Sequence, residues 1–301
     1  MSLNSESLIQ VSNLSKEYKN GVKALKNLNF SIFKGITALV GPNGAGKTTF
    51  LKILIGFLRP SFGKCKVLNL DSWKDSLEIR GFLRYLPDGT IFPDNLTVET
   101  YVEIIRNLVS YSLNNKIPIN LDLSLDQKIG TLSSGMIKKL GLYLTLIGNP
   151  TLVLLDEPTA NLDPMARRKF FGLIQDLHKE KGISFIISSH VFSDLEKICE
   201  HVIAINEGKI TFQGSFSELM ENFTTNEFEI YSNNPKKWIE ICRNIPEIEN
   251  IENFGNTINI TTKKTISSRY FIEIFEKYDV NKELDFEILR KKQSYDALFL
   301  D

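Results

Sequence analysis

The stretch GPNGAGKTT, Gly41 to Thr49, constrains this chain more than any other. It fits the spacing G-x-x-x-x-G-K-[ST] and lies between an apolar run, ITALV, and a helix-like run, TTFLKILIGFL, the strand–loop–helix context that the pattern requires. Gly41, Gly44 and Gly46 let the loop turn so that backbone N–H groups point inward, with Pro42, Asn43 and Ala45 between them, and a helix amino terminus adds partial positive charge beneath an anion. Lys47 is placed to reach the β- and γ-phosphates of a nucleotide, and Thr48 to ligate Mg²⁺ through its hydroxyl, with Thr49 a weaker phosphate contact. A plain Gly-rich strand-to-helix turn is the bland alternative, and the partners of the loop decide against it.

Those partners stand at the ends of two further apolar runs. ITALV at 36 to 40, TLVLL at 151 to 155 and SFIIS at 184 to 188 are nearly continuous apolar stretches, each followed by a loop and a helix-like pattern, and are predicted to be central parallel strands of an α/β sheet. Residues 8 to 33 instead alternate, with Leu28, Phe30 and Ile32 on one side and Asn29 and Ser31 on the other, which predicts half-exposed antiparallel strands. From about 70 to 150 the pattern is mostly helical, punctuated by Pro87, Pro93 and Pro118, and an inserted helical subdomain is expected there. NEGKITFQG, 206 to 214, is expected to close the first domain with a strand pair, placing a boundary near 222. Beyond it, residues 223 to 301 alternate in the order β, α, β, β, α, β, which matches a small ferredoxin-like α+β domain.

Asp156 and Glu157 end the run LVLL, so a buried strand delivers both carboxylates to the carboxyl edge of the sheet, the ligand face of such folds. Asp156 suits the Mg²⁺ shell and Glu157 suits polarising a water for attack on a γ-phosphate. Helix capping is the competing use of such an acidic pair, and Pro158 argues against an immediate helix. His190 follows SFIIS at a third strand edge, where it is placed to sense the γ-phosphate; His178 and His201 receive no role.

In their order and spacing, GPNGAGKT, LSSG (Leu132 to Gly135), LLDEPTANLD and a His after a strand resemble the ATP-binding cassette family over about residues 8 to 220. The Asn-Lys-x-Asp guanine-reading motif of small GTPases is absent. The resemblance implies an ATPase with ATP and Mg²⁺ as ligands, in which Ser133 and Gly135 cap a nucleotide held by the phosphate loop of a second cassette, a copy of this chain or a homologue. It further implies that Tyr18 stacks on adenine and that Ala160 to Asp163 meet the opposite subunit. A helix-cap role for Ser133 or Ser134 is compatible with this. Two departures stand out: Ser134 and Met136 replace the usual Gly and Gln of the signature, and Asp88, in RYLPDG, stands where the family usually has Gln. A carboxylate at 88 binds Mg²⁺ well but adds negative charge beside a triphosphate.

Lys+Arg and Asp+Glu balance at 36 each, which gives no reason to expect nucleic acid as a ligand. Cys65, Cys199 and Cys242 fit no disulfide framework and no metal spacing, pointing to a reducing compartment. MSLNSESLIQ lacks a signal-peptide layout and no apolar run approaches the ~18 residues needed to span a bilayer. The expectation is a cytoplasmic ATP-binding subunit, peripheral on the membrane through a separate transmembrane permease. A single cassette without a coiled-coil insertion, together with a tail resembling those of exporter-type cassettes, favours export over the alternative of a soluble ATPase acting on ribosomes or nucleic acid. The transported substrate is left open.

Overall fold

The computed structural model describes residues 7–109, 123–190, 195–222, 224–263 and 286–292. The chain divides into two compact units, the first ending at Phe216 and the second running Ser217–Leu300.

The first unit opens with β1 (Ile9–Glu17) and β2 (Lys23–Ile32), which pair antiparallel as their alternation predicts. Strand β3 (Ile36–Val40) leads into helix α1 (Lys47–Leu54), and β4 (Phe62–Val67) and β5 (Leu70–Asp71) return to the antiparallel sheet, whose order is β2-β1-β4-β5. Helix α2 (Ser76–Phe82) runs straight into β6 (Leu83–Leu86), followed by α3 (Val98–Leu108) and α4 (Ser134–Thr145). Strand β7 (Leu152–Asp156), helix α5 (Pro164–Lys181), β8 (Ser184–Ser189), β9 (His201–Asn206) and β10 (Lys209–Ser215) complete the main sheet, in the order β10-β9-β3-β8-β7-β6.

The three runs predicted as central strands are β3, β7 and β8. They pair in parallel, and every residue in them is buried, as expected for strands covered on both faces. NEGKITFQG supplies the turn and second strand of the β9–β10 hairpin; Glu207 and Gly208 have φ of 46° and 76°, the left-handed pair that a tight two-residue hairpin turn needs. One apolar core joins the two sheets through α1. Phe30 of β2 and Phe50 of α1 meet there with ring centroids 5.2 Å apart, among Ile9, Leu14, Leu39 and Leu154.

The expected helical stretch from about 70 to 150 needs correction at its start. Leu83–Leu86 is a strand of the main sheet, parallel to β7, and Leu70–Asp71 belongs to the antiparallel sheet. Four residues, LRYL, are too few for a period to declare itself, and the preceding helix masks them. The helical part proper has its own small core of Phe92, Val98, Val102, Ile129 and Leu140. Pro118 lies outside the described residues.

The second unit begins within helix α6 (Phe216–Asn222). It continues with β11 (Thr224–Ser232), α7 (Pro235–Arg243), β12 (Ile248–Phe254), β13 (Thr257–Thr262) and β14 (Phe286–Lys292), all strands antiparallel in the order β12-β13-β11-β14. Phe228 and Ile230 of β11 and Ile258 and Ile260 of β13 share one face with Trp238 and Cys242 of α7. Within the span 223 to 301 expected to alternate β, α, β, β, α, β, the segment SRYFIEIFEKY (268 to 278) and the tail SYDALFLD (294 to 301) lie outside the described residues. Among the described residues no helix is long and apolar enough to cross a membrane.

Candidate functional site

The loop between β3 and α1 is folded tightly enough that two of its glycines have no substitute. A Cβ at Gly41 would sit 2.2 Å from the Ile205 carbonyl oxygen, and one at Gly46, whose φ is 112°, would sit 2.5 Å from that of Ala24. Behind the loop, Lys47 is only 6% exposed; its Nζ donates to the carbonyls of Gly41 (2.7 Å) and Pro42 (3.2 Å) and lies 3.3 Å from Glu157 Oε1. A cleft of about 220 Å³ opens above it, lined by Asn43, Gly44, Ala45, Gly46, Lys47, Thr48 and Thr49 together with Ala24, Asp88 and Glu157. Gly41 and Pro42 contribute carbonyls to Lys47 from outside that lining.

The two carboxylates at the end of β7 are held differently. Asp156 is buried; Ser188, its register partner on β8, donates a hydroxyl to Oδ1 at 2.5 Å, and Tyr85 donates its phenol to Oδ2 at 3.0 Å. Burial, and then the Asp156 charge, push the Tyr85 phenol well above the ordinary tyrosine range, so it remains a donor. Glu157 leaves the strand with φ 45°, its N–H donating to Ser188 Oγ at 2.9 Å. Its Oε2 lies 2.9 Å from Nδ1 of His190, which is half exposed. Tyr85 and Ser188 escaped the sequence reading. The available signal was the buried serine pair, Ser188 and Ser189, that follows the apolar FII of β8 at its carboxyl end.

The remaining predicted residues have partners of their own. The Tyr18 hydroxyl lies 3.1 Å from Thr49 Oγ1, and the Lys16 ammonium stands 5.5 Å from the Tyr18 ring centroid. Asp88 accepts the Gly89 N–H at 2.8 Å and pairs with Lys138 of α4 at 3.7 Å. Ser133 is the N-cap of α4, its hydroxyl accepting the Met136 N–H at 3.3 Å, while Ser134 is the first residue of the helix. Beside it, a Cβ on Gly135 would make ordinary contact with Ala166 and Leu162. Neither Ser133 nor Gly135 lines the cleft. Asp163, at the end of ANLD, caps α5 by accepting from Ala166 and Met165, and these donors, Ala166 foremost, hold its carboxyl below the usual range. His178 bonds the Ile183 carbonyl.

Among the described residues no cluster of three His, Cys, Asp or Glu could hold a metal ion by itself. The oxygen donors lining the cleft, the Thr48 and Thr49 hydroxyls with the Asp88 and Glu157 carboxylates, are hard oxygens too few to form a cage, with buried Asp156 next to Glu157 in sequence. That fits Mg²⁺, which keeps waters and takes phosphate oxygens rather than a full protein shell.

A family model described as ABC transporter matches residues 25–160, the span that carries the phosphate loop, Asp88, Ser133 and both carboxylates. An uncharacterized ABC transporter ATP-binding protein of Nostoc sp. is 31% identical over 258 residues, covering 78% of this chain and 76% of that protein. The bacitracin transport ATP-binding protein BcrA of Bacillus licheniformis is 31% identical over 75% of this chain and 76% of its own length. Among solved structures, cbiO1 of Clostridium perfringens, part of the ABC transporter complex cbiONQ, superposes with a TM-score of 0.61 at 28% identity, over 71% of this chain and 91% of that one. With the phosphate loop and the acidic strand end joined in one cleft and relatives matched over three quarters of its length, the chain belongs to the ABC transporter ATP-binding proteins.

Proposed function

We propose that this chain hydrolyses ATP as one half of a cassette pair, formed with a second copy or a homologue, and that the pair drives a separate transmembrane permease, in the direction of export. The observation that carries the reading is the division of the site. Lys47, Thr48 and Glu157 share the cleft, whereas Ser133 and Gly135 stand apart from it at the start of α4.

Within the cleft, Lys47 exchanges the Gly41 and Pro42 carbonyls for β- and γ-phosphate oxygens, and loop N–H groups with the amino end of α1 take the remaining phosphate charge. Mg²⁺, when bound, supplies positive charge that offsets the charge developing on the phosphates, and Thr48, Asp88 and Asp156 are the residues that would hold it. Glu157 accepts the hydrogen bond of an attacking water and orients it, while His190 fixes the other carboxylate oxygen at 2.9 Å. Tyr18, a partly exposed ring hydrogen-bonded to Thr49, takes the adenine. Ser133 and Gly135, with the positive end of α4, face the γ-phosphate held by the partner, and Ala160 to Asp163 line the same joint.

Support for a permease comes from exposed apolar side chains: Phe57, Leu77 and Ile91 are all exposed, and the Arg80 guanidinium lies 5.8 Å from the Phe57 ring. Such a partner would hold the chain at the inner face of the membrane. Transport is supported by the name of the Bacillus licheniformis relative, a bacitracin transport ATP-binding protein, and the order of the second unit's strands is compatible with the small ferredoxin-like domain expected after the cassette.

A mixing experiment tests the pair. Ser133→Arg is expected to bind ATP but not hydrolyse it, and Lys47→Ala to bind none. A one-to-one mixture has half its dimers mixed, each with one whole composite site, so activity should recover to about a quarter of wild type if sites act independently. Loss of ATP binding by a folded Ser133→Arg chain would place the stretch in its own site and overturn the proposal.

A further inference from the structure

Asp88 puts a full negative charge on the wall of a cleft that receives a triphosphate, and the structure supplies a cation beside it. Lys138 Nζ lies 3.7 Å from Asp88 Oδ1; the lysine side chain is 18% exposed and the carboxylate 55%. Nothing within α4 explains that direction, because the positions one turn away on either side of Lys138 are Ser134, Gly135, Gly141 and Leu142, none of them acidic. What brings the two together is close packing one turn along the helix. A Cβ on Gly141 would come within 2.9 Å of Leu86 Cδ1, so α4 reaches the end of β6 only because residue 141 has no side chain, and Asp88 follows Leu86 by two residues.

We propose that Lys138 is a positioning residue of the nucleotide site: it holds the Asp88 carboxylate at the cleft wall and offsets its charge beside the phosphates. The proposal rests on the ATP-binding reading above. An ion pair this exposed adds little to folding stability, so its consequence is electrostatic and scales with the charge of the ligand. Lys138 thereby lets this chain keep a carboxylate at a position that faces three or four phosphate charges.

The test is an equilibrium titration with a fluorescent ATP analogue, with ADP and adenosine as competitors, in Mg²⁺ and again in EDTA. Lys138→Met keeps the aliphatic stem and is expected to weaken ATP roughly five- to tenfold in EDTA, ADP by less and adenosine not at all, as for one uncompensated charge at short range in a partly solvated cleft. Lys138→Arg should behave as wild type, and adding Asp88→Asn to Lys138→Met should abolish the loss. Asp88→Asn alone should tighten ATP in EDTA, an expectation that stands even if Lys138→Met fails to fold. Unchanged ATP affinity in Lys138→Met, an equal loss for adenosine, or no relief from Asp88→Asn would overturn the proposal while leaving ATP binding itself intact. A wild-type chain that binds no ATP would instead refute the nucleotide reading, and this one with it.

Discussion

Replacing Glu157 by Gln changes one charge at the centre of the site, and the structure fixes the sign of three consequences. Glu157 is 14% exposed and faces Lys47, 6% exposed, across 3.3 Å. At an effective dielectric of about 20 the Coulomb energy of such a pair is roughly 5 kcal/mol, an upper bound from which desolvation of both groups must be subtracted. The Gly41 and Pro42 carbonyls still hold the ammonium when Glu157 is neutral, so a net loss of about 1–3 kcal/mol is expected. At about 2–4 °C per kcal/mol for a unit of this size, melting without nucleotide should fall by several degrees. With saturating Mg·ATP the difference should close, because the γ-phosphate now pairs with Lys47. ATP should bind at least as tightly, and hydrolysis should slow by about 10²–10⁴-fold, since an amide cannot accept the proton of the attacking water. Differential scanning fluorimetry with and without Mg·ATP, alongside phosphate release, reads all three. A variant that melts like wild type without nucleotide and turns over at the wild-type rate would refute both the ion pair and the catalytic role.

Gly41→Ala drives a methyl into the Ile205 carbonyl, main chain that cannot move aside cheaply, whereas a Cβ at Gly44 meets nothing within 4 Å. Gly41→Ala should cost about 1–3 kcal/mol in denaturant unfolding, and more than Gly44→Ala, which bears only backbone strain; the reverse ranking would contradict the packing. Burial pushes the thiols of Cys65 and Cys242 up to about 12 and that of Cys199 higher still. Native protein at pH 8 should therefore resist a thiol reagent that labels all three cysteines after denaturation. Because folding favours the protonated thiol, this stabilisation is complete below the unfolded pKa of about 8.5 and is lost as pH rises from there toward 12. Rapid labelling of the native chain would count against these burials.

What the sequence made legible follows a physical division. ITALV, LVLLD and SFIISS announce themselves because strands buried on both faces must be continuously apolar, and the phosphate loop because its glycines answer to main-chain contacts rather than to taste in composition. The strand FGKCKV stayed hidden since only Cys65 and Val67 face the core and its exposed lysines imitate a loop. Tyr85 was hidden for a different reason. Its bond to Asp156 joins residues 71 apart in sequence, and only the parallel pairing of β6 with β7 brings them together. The hydroxyl shell of Asp156 is a property of sheet order, which no local pattern encodes. Lys138 belongs to the same class, its partner chosen by how closely α4 approaches Leu86.

The neighbouring carboxylates 156 and 157 also show how one strand end can supply two unlike acids. In a regular strand, successive side chains point to opposite faces, so a second acid after Asp156 would turn away from the first. The left-handed backbone at Glu157 breaks that alternation, at a cost on the order of 1–3 kcal/mol for a residue with a side chain, and the second carboxylate comes to line the cleft. Asp156 is held by two hydroxyls on neighbouring strands, Ser188 and Tyr85, neither of which carries charge that a nucleotide would compete for. Glu157 is held by Lys47, a cation that an incoming phosphate attracts directly, and by His190 on its other oxygen. Under the proposed function, arrival of the triphosphate leaves the first acid where it is and draws Lys47 from the second, which keeps its contact with His190. An acid released at the moment its substrate binds is suited to take up a water, and a fixed one to take part in an ion's shell; the difference lies in the partners that the fold gives two adjacent residues.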